Sequence, residues 1–369
     1  MNQSNGHIHA FDHLRLIAAF SVIFMHAAAG PLRQSVNFNW ELLNICTSFA
    51  FTAVPLFLMM SGYLLLSSEK TADVSLLLKK RLPRLVIPLI GWTVVAAIWS
   101  LYHQNQLTLA AFLELMVTAI REPVAVHFWY MYTLIALYAL SPILYGGLHA
   151  LDRKGNRYVL ALIGLVTLKV MLTAILPDSL DKFVALDLLT KLQLFSGHLC
   201  TFVLGYYLGS LKKEFPNWLL LSAAAVLLAI ICFGTHVLTV RAGTYDQTFQ
   251  GQNAGFEVAL AACIFLLFKQ NCSKASKFFR AVPVIPLSLS IYLMHNILLS
   301  MFYSLGLTPS IFFNTLGITL IDLIVCFVVM KTVATVKPLC YLATGMTYAD
   351  ACQSCNWVYT YRKLKARRM

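Results

Sequence analysis

Two residues in the first apolar stretch have the types and spacing to do chemistry together: Arg15 and His26. Eleven residues on an α-helix is close to three turns, so both fall on nearly one face, about 16 Å apart along the axis. A guanidinium holds anions, and an imidazole can take a proton from a hydroxyl near neutral pH. Taken singly, each has a plainer reading. Arg15 could be an interface anchor that snorkels, and His26 a hydrogen-bonded core residue. In register they read as a cation for an anionic donor and, deeper, a titratable group. Asp12, three residues before Arg15, lies on the same side and could pair with it.

Other polar groups stand in apolar surroundings. Ser61-Gly62-Tyr63-Leu64-Leu65 follows Pro55, and such Pro and Gly positions permit a kink or a close helix approach. Arg81 and Arg84, in Lys79-Lys80-Arg81-Leu82-Pro83-Arg84, have the spacing of a phosphate clamp, although topology alone explains the basic run. His127-Phe128-Trp129-Tyr130-Met131-Tyr132 reads as an interfacial aromatic belt or as a platform for a sugar ring. Lys169, Glu257, His295 and Asp322 lie inside apolar runs, where ionisable groups are expensive and hence functional candidates. Their partners do not follow from the sequence.

The elements that must position these residues are membrane helices. The 369 residues are 59% hydrophobic and only 12% charged, which no soluble globule of this size could hide. About ten stretches match the roughly 20 apolar residues a bilayer span needs. They run over 14–33, 43–66, 84–103, 127–149, 157–176, 192–211, 217–238, 254–268, 284–304 and 311–334. The eighth is short, and 107–120 is apolar at helical spacing but suited to lying at the interface.

The net charge of +13 then explains itself by location. With both termini cytoplasmic, the inner loops and tail collect most of the 28 Lys and Arg. Arg33, Arg121, Lys182, Lys191 and Arg241 fall on the other side, where the loop around Asp178, Asp181 and Asp187 is acidic. The basic excess is topological, so no nucleic-acid partner is expected; the bilayer itself is the partner. The run Leu16–Met25 before Ala27-Ala28-Ala29 has the look of a cleavable leader, but no Lys or Arg precedes Arg15 and His26 interrupts it. It is read as a retained span. The nine cysteines are scattered, and Cys352-Gln-Ser-Cys355 lacks the second pair or His of a zinc site, so no metal is expected.

Several motifs in order resemble one family. Phe11-Asp12-His13-Leu14-Arg15 leading to His26 is similar to the Arg, ten residues, His element of the acyltransferase-3 family of integral-membrane acyltransferases. Val54-Pro55-Leu56-Phe57 with Ser61-Gly62-Tyr63-Leu64-Leu65 resembles its Ser-Gly-x-x-Leu motif, and Arg81-Leu82-Pro83-Arg84 its Arg-x-x-Arg pair. His127-Phe128-Trp129 with Tyr138 and Ser141-Pro142 resembles its fourth-span signature, and Ser290-Ile291-Tyr292-Leu293-Met294-His295 its late Ile-Tyr-x-x-His element. The wording of the first two elements looks closest to the subgroup that O-acetylates enterobacterial common antigen.

The resemblance covers about residues 8–335 and divides the chain into a membrane domain at 8–338 and a basic cytoplasmic tail at 339–369. It implies a multi-pass enzyme of the cell inner (plasma) membrane. Such an enzyme moves an acyl group, usually acetyl, from cytoplasmic acyl-CoA to a sugar hydroxyl of a surface or lipid-linked glycan. No tightly bound cofactor is implied; acetyl-CoA or another acyl-CoA is the donor substrate. Carried over residue by residue, His26 is catalytic with Arg15 as its motif partner. Arg81 and Arg84 lie near the donor phosphates, and Ser61, Gly62 and Leu65 shape the acyl passage. The rival class is a transporter or flippase for a lipid-linked glycan or small anion, with the intramembrane acids and histidines as the path. Oligomeric state does not follow from the residues.

Overall fold

A computed structural model of the chain describes residues 9–176, 197–251, 253–272 and 284–368. Among these residues the regular elements are helices, with no strand. In chain order they are α1 (His9–Ala28), α2 (Phe38–Ala50), α3 (Ala53–Leu66), α4 (Pro83–His103), α5 (Leu109–Thr118), α6 (Trp129–Ala150), α7 (Arg153–Ile175) and α8 (His198–Ser210). There follow α9 (Asn217–Ala242), α10 (Gly255–Asn271), α11 (Ser288–Ser304), α12 (Phe312–Val333), α13 (Lys337–Thr344), α14 (Tyr348–Ser354) and α15 (Trp357–Arg368).

Among the described residues, eight helical stretches are long and apolar enough to cross a membrane: His9–Ala28, Phe38–Leu66, Val74–His103, Val126–Ala150, Arg153–Ile175, Asn217–Ala242, Ile285–Ser304 and Phe312–Val333. The chain is an all-α polytopic membrane protein. Two of the ten expected spans are shorter as helices: α8 has 13 described residues and α10 has 17. The start of the expected sixth span, Lys182, Lys191 and the acidic stretch at Asp178, Asp181 and Asp187 lie outside the described residues. In α7 only Ile163 and Val166 are buried, while Leu160, Leu165, Leu168, Leu172 and Ile175 are exposed. A helix this apolar with a bare apolar face requires lipid as its solvent.

The chain forms two compact units. The first comprises Met1–Asp73, Leu140–Ser276 and Pro309–Leu316, and the second Val74–Ala139, Lys277–Thr308 and Gly317–Met369. In the first unit, the N-terminal half of α1 packs Ala10, Phe11 and Leu14 against Leu56, Met59 and Met60 of α3 and the apolar face of α10. Phe11 meets Tyr63 edge-on at 5.8 Å and Phe265 at 5.5 Å between ring centres. The C-terminal half packs Phe24 and Ala28 with Leu32, Trp40, Leu43 and Ala50.

The expected second span is two helices, broken at Phe51–Thr52. Pro55 therefore sits in the first turn of α3, where its missing N–H has no partner to lose. The close approach expected at Gly62 is made with α8. A Cβ on Gly62 would stand 1.8 Å from the carbonyl oxygen of Phe202, and one on Gly205 would stand 2.2 Å from that of Met59. The two backbones touch where side chains would otherwise hold them apart.

In the second unit, α4 follows a π-helical turn, Leu77–Arg81. The segment expected as a tail is helical and packs within this unit. The indole N–H of Trp92 donates to the carbonyl of Ala343 at 3.0 Å, and Gly345, at φ +68°, lies so close to Arg84 that a Cβ would meet its carbonyl oxygen at 2.1 Å. Trp357 donates its indole N–H to Thr332 at 3.0 Å, and Asn356 donates to the carbonyl of Ala334 at 3.2 Å. The boundary expected at residue 338 is thus bridged by packing. The short α5 leaves Leu109, Leu113 and Val117 exposed, as an interfacial segment would.

Candidate functional site

Arg15 and His26 share one unbroken helix, so the spacing expected from the sequence holds. Asp12 stands in the first turn of α1, where a carboxylate suits the helix dipole. It is buried, with the Nδ1 of His9 at 3.7 Å from its carboxylate. Arg15 and His26 are both half-buried, at opposite ends of α1. Arg15 follows the turn that carries Phe11 and Leu14, which pack on the part of α3 holding Met60 and Tyr63. Those residues flank Ser61 and Gly62. The first unit thus brings Arg15 and the Ser61-Gly62 turn onto packed helices. Gly62 and Leu65 are buried, Ser61 is half-buried, and the Leu65 carbonyl accepts from the Thr71 hydroxyl at 2.5 Å.

Around the His26 end is a polar assembly that sequence reasoning missed. Gln250, fully buried in the loop between α9 and α10, donates its amide to the side chains of Asn44 at 2.8 Å and Ser48 at 2.6 Å. Asn44 in turn donates to the carbonyl of Cys232 at 3.0 Å. The hydroxyl of Tyr245 donates to the Gln250 side-chain oxygen. Tyr245 packs on the Phe24–Ala28 cluster that flanks His26, and burial pushes its phenol up from the ordinary range, so it stays a donor. One signal for this network is present in the sequence. Asn44 and Ser48 are polar residues at i, i+4 in an apolar run, and such a pair shares one helix face. Their partner Gln250 is 206 residues away from Asn44, and no local pattern announces it.

Two further groups hold the end of α2: His236 on α9 pairs with Glu41 at 2.6 Å, and the Trp40 indole donates to the Leu32 carbonyl at 3.0 Å. Glu257, in the first turn of α10, is fully buried, and neither carboxyl oxygen has a hydrogen-bond partner among the described residues.

A cavity of about 390 Å³ opens just past α1, lined by Ala29, Arg33, Tyr245, Asp246, Gln247 and Thr248. Ala29 is one helical turn beyond His26.

Arg81 and Arg84 belong to the second unit. Arg81 ends the π turn and is half-buried, whereas Arg84 is exposed in the first turn of α4. The π geometry offsets the backbone just before a helix N-terminus, a setting frequent at functional sites. Arg84 pairs with Asp350 of α14 at 3.2 Å.

The aromatic stretch after α5 differs from a belt. His127 and Phe128 are buried at 1% and 0% exposure. His127 Nε2 lies 3.2 Å from the Leu293 carbonyl, Asn296 donates toward His127 Nδ1 at 3.4 Å, and Tyr292 donates its hydroxyl to the His127 carbonyl. The tautomer carrying its proton on Nε2 satisfies both contacts. The fourth-span and late motifs therefore meet in space, with the His127 and His295 rings 4.8 Å apart. His127 and Phe128 join α6 to α11, and His127 also lines a cavity of about 230 Å³ with Trp99, His103 and Asn296.

A family model described as an acyltransferase domain matches residues 8–335, which span the Arg15–His26 helix and end just before α13. The protein is a membrane acyltransferase, and its chain belongs to the acyltransferase-3 family. No curated protein and no solved structure matches it.

Proposed function

We propose that the protein is an O-acyltransferase of the cell inner membrane, most simply an O-acetyltransferase. It moves an acyl group from acyl-CoA to a sugar hydroxyl of a cell-surface or lipid-linked glycan. The observation that carries this reading is the Arg15–His26 pair on one face of α1, with a polar cavity one turn past His26. Coenzyme A is polyanionic and cannot cross lipid, so its nucleotide needs cations at a membrane surface. Arg15, Arg81 and Arg84 are the cations this reading assigns to the donor. The thioester arm then reaches along the bundle past Ser61, Gly62 and Leu65 toward His26. By its motifs, enterobacterial common antigen is the first glycan to assay.

Two routes use His26. In direct transfer, an imidazole nitrogen takes the proton of the acceptor hydroxyl as that oxygen attacks the thioester carbonyl. The C–S bond breaks, and the leaving thiolate takes the proton from the imidazolium. In the two-step route, the imidazole nitrogen attacks the carbonyl and the thiolate leaves; the sugar hydroxyl then takes the acyl group from the imidazole, and the proton it gives up ends on the thiolate. Either route converts one thioester and one hydroxyl into one ester and one thiol. The test is transfer of label from radiolabelled acetyl-CoA to glycan extracted from cells lacking the gene, with mass spectrometry of the product. Wild-type protein adds an acetyl mass and inserted His26→Ala adds none; full activity in His26→Ala would end the reading.

The buried Glu257 and the buried Asp322 of α12 also suit a transporter or flippase, since intramembrane acids mark ion paths. Substrate counterflow without any acyl gain on the glycan would favour that second reading.

A further inference from the structure

We infer that the cavity past the end of α1 is the acceptor subsite, taking one neutral sugar ring, with Arg33 and Asp246 selecting its hydroxyls. This rests on the acyltransferase reading and adds to it where the acceptor binds and by which groups.

The position comes first. Ala29 in the cavity wall is three residues after His26 in the chain, so the cavity stands at the end of α1 that carries His26. Size is the second argument. At about 390 Å³ the space lies at the lower end of small-ligand sites, which run from about 300 to 1,000 Å³. It admits one ring with part of a neighbour.

Charge is the third. Arg33 brings one guanidinium and Asp246 one carboxylate, so the ionic groups of the wall balance. A nucleotide with several phosphate charges would be drawn to a cationic wall instead. A guanidinium and a carboxylate in one wall can donate to and accept from the hydroxyls of a ring, while Thr248 and Gln247 supply neutral partners.

The wall is also held in place before any ligand arrives. The Asp246 amide donates to Thr239 at 3.1 Å, and the Thr248 amide donates to Asp246 Oδ1 at 2.8 Å. Two residues further on, the buried Gln250 anchors the loop to Asn44 and Ser48. Such fixing lowers the ordering cost of binding. Unlike the cavity of about 230 Å³ beside Trp99 and Ser300 in the second unit, this one shares its unit with His26.

The experiment uses the full-length protein in nanodiscs, radiolabelled acetyl-CoA, and lipid-linked saccharide extracted from cells lacking the gene. Arg33→Ala and Asp246→Asn are compared with wild type and His26→Ala. Asp246→Asn keeps an oxygen for the Thr248 amide, so the loop is retained. Each variant is expected to raise the acceptor KM about tenfold at an unchanged donor KM, with kcat within about twofold at saturating acceptor, as loss of ground-state binding requires. Wild-type acceptor KM in both variants, with transfer still abolished by His26→Ala, overturns the subsite and leaves the acyltransferase reading intact. No transfer by wild type, or full transfer by His26→Ala, overturns the reading beneath it. A raised donor KM in either variant overturns the acceptor assignment as well.

Discussion

Arg84 and Asp350, 266 residues apart in sequence, form an ion pair at 3.2 Å between the start of α4 and α14. The acid comes from beyond the stretch that defines the family, and it occupies an arginine of the Arg-x-x-Arg motif. Both side chains are about half exposed, at 52% and 50%. Water screens such a pair, so it contributes little to stability, at most about 1 kcal/mol. Its effect falls on what else Arg84 is able to hold.

Asp350→Asn is accordingly expected to leave thermal stability within about 1 kcal/mol of wild type. Under the proposed donor role, it frees Arg84 and lowers the KM for acetyl-CoA a few-fold, most clearly at low salt. Steady-state kinetics at two ionic strengths check this. An unchanged or raised donor KM removes Arg84 from the donor site.

Gly62→Val is expected to disrupt the crossing of α3 and α8, because the added carbon would start 1.8 Å from a backbone oxygen of Phe202. Backbone cannot rotate away as a side chain can, so the helices must separate. The cost is at least the roughly 1–3 kcal/mol of an overpacked core. A thermal unfolding scan in nanodiscs should show a clear drop, and a wild-type midpoint would contradict the contact.

Glu257→Leu addresses a buried carboxyl with neither oxygen hydrogen-bonded among the described residues. A buried polar group without a hydrogen bond costs about 1–3 kcal/mol, and an apolar side chain of similar size removes that cost. The variant should therefore unfold at higher temperature. If the acid serves transfer or a proton path, that gain comes with lost activity, the usual trade at functional sites. A lower unfolding temperature would mean the carboxyl has a structural partner.

Much of the architecture was legible because a bilayer permits so few solutions. Lipid offers backbone groups no hydrogen-bond partners, so apolar runs of sufficient length must be helices, and hydropathy places them. The α1 register followed for the same reason: once residues 9–28 are helical, the separation and facing of Arg15 and His26 are arithmetic. The exceptions are local. The break at Phe51–Thr52 falls inside an apolar run, where hydropathy does not change and only the backbone reveals it.

What the residues by themselves determined, then, is the membrane-helix class, the Arg15–His26 pair on one helix face, and the ordered motifs that resemble the family. Tertiary structure alone decided which of the remaining polar residues meet. Gln250 joins Asn44 and Ser48, Tyr292 joins His127, and Asp350 joins Arg84 across long stretches of chain. It also decided that His127 is a buried joint between α6 and α11, and that α13 lies on α4. The physical reason is range. Hydropathy and helical periodicity act within a few turns, whereas a hydrogen bond between distant side chains is fixed by how the helices pack, and that packing has no local signature.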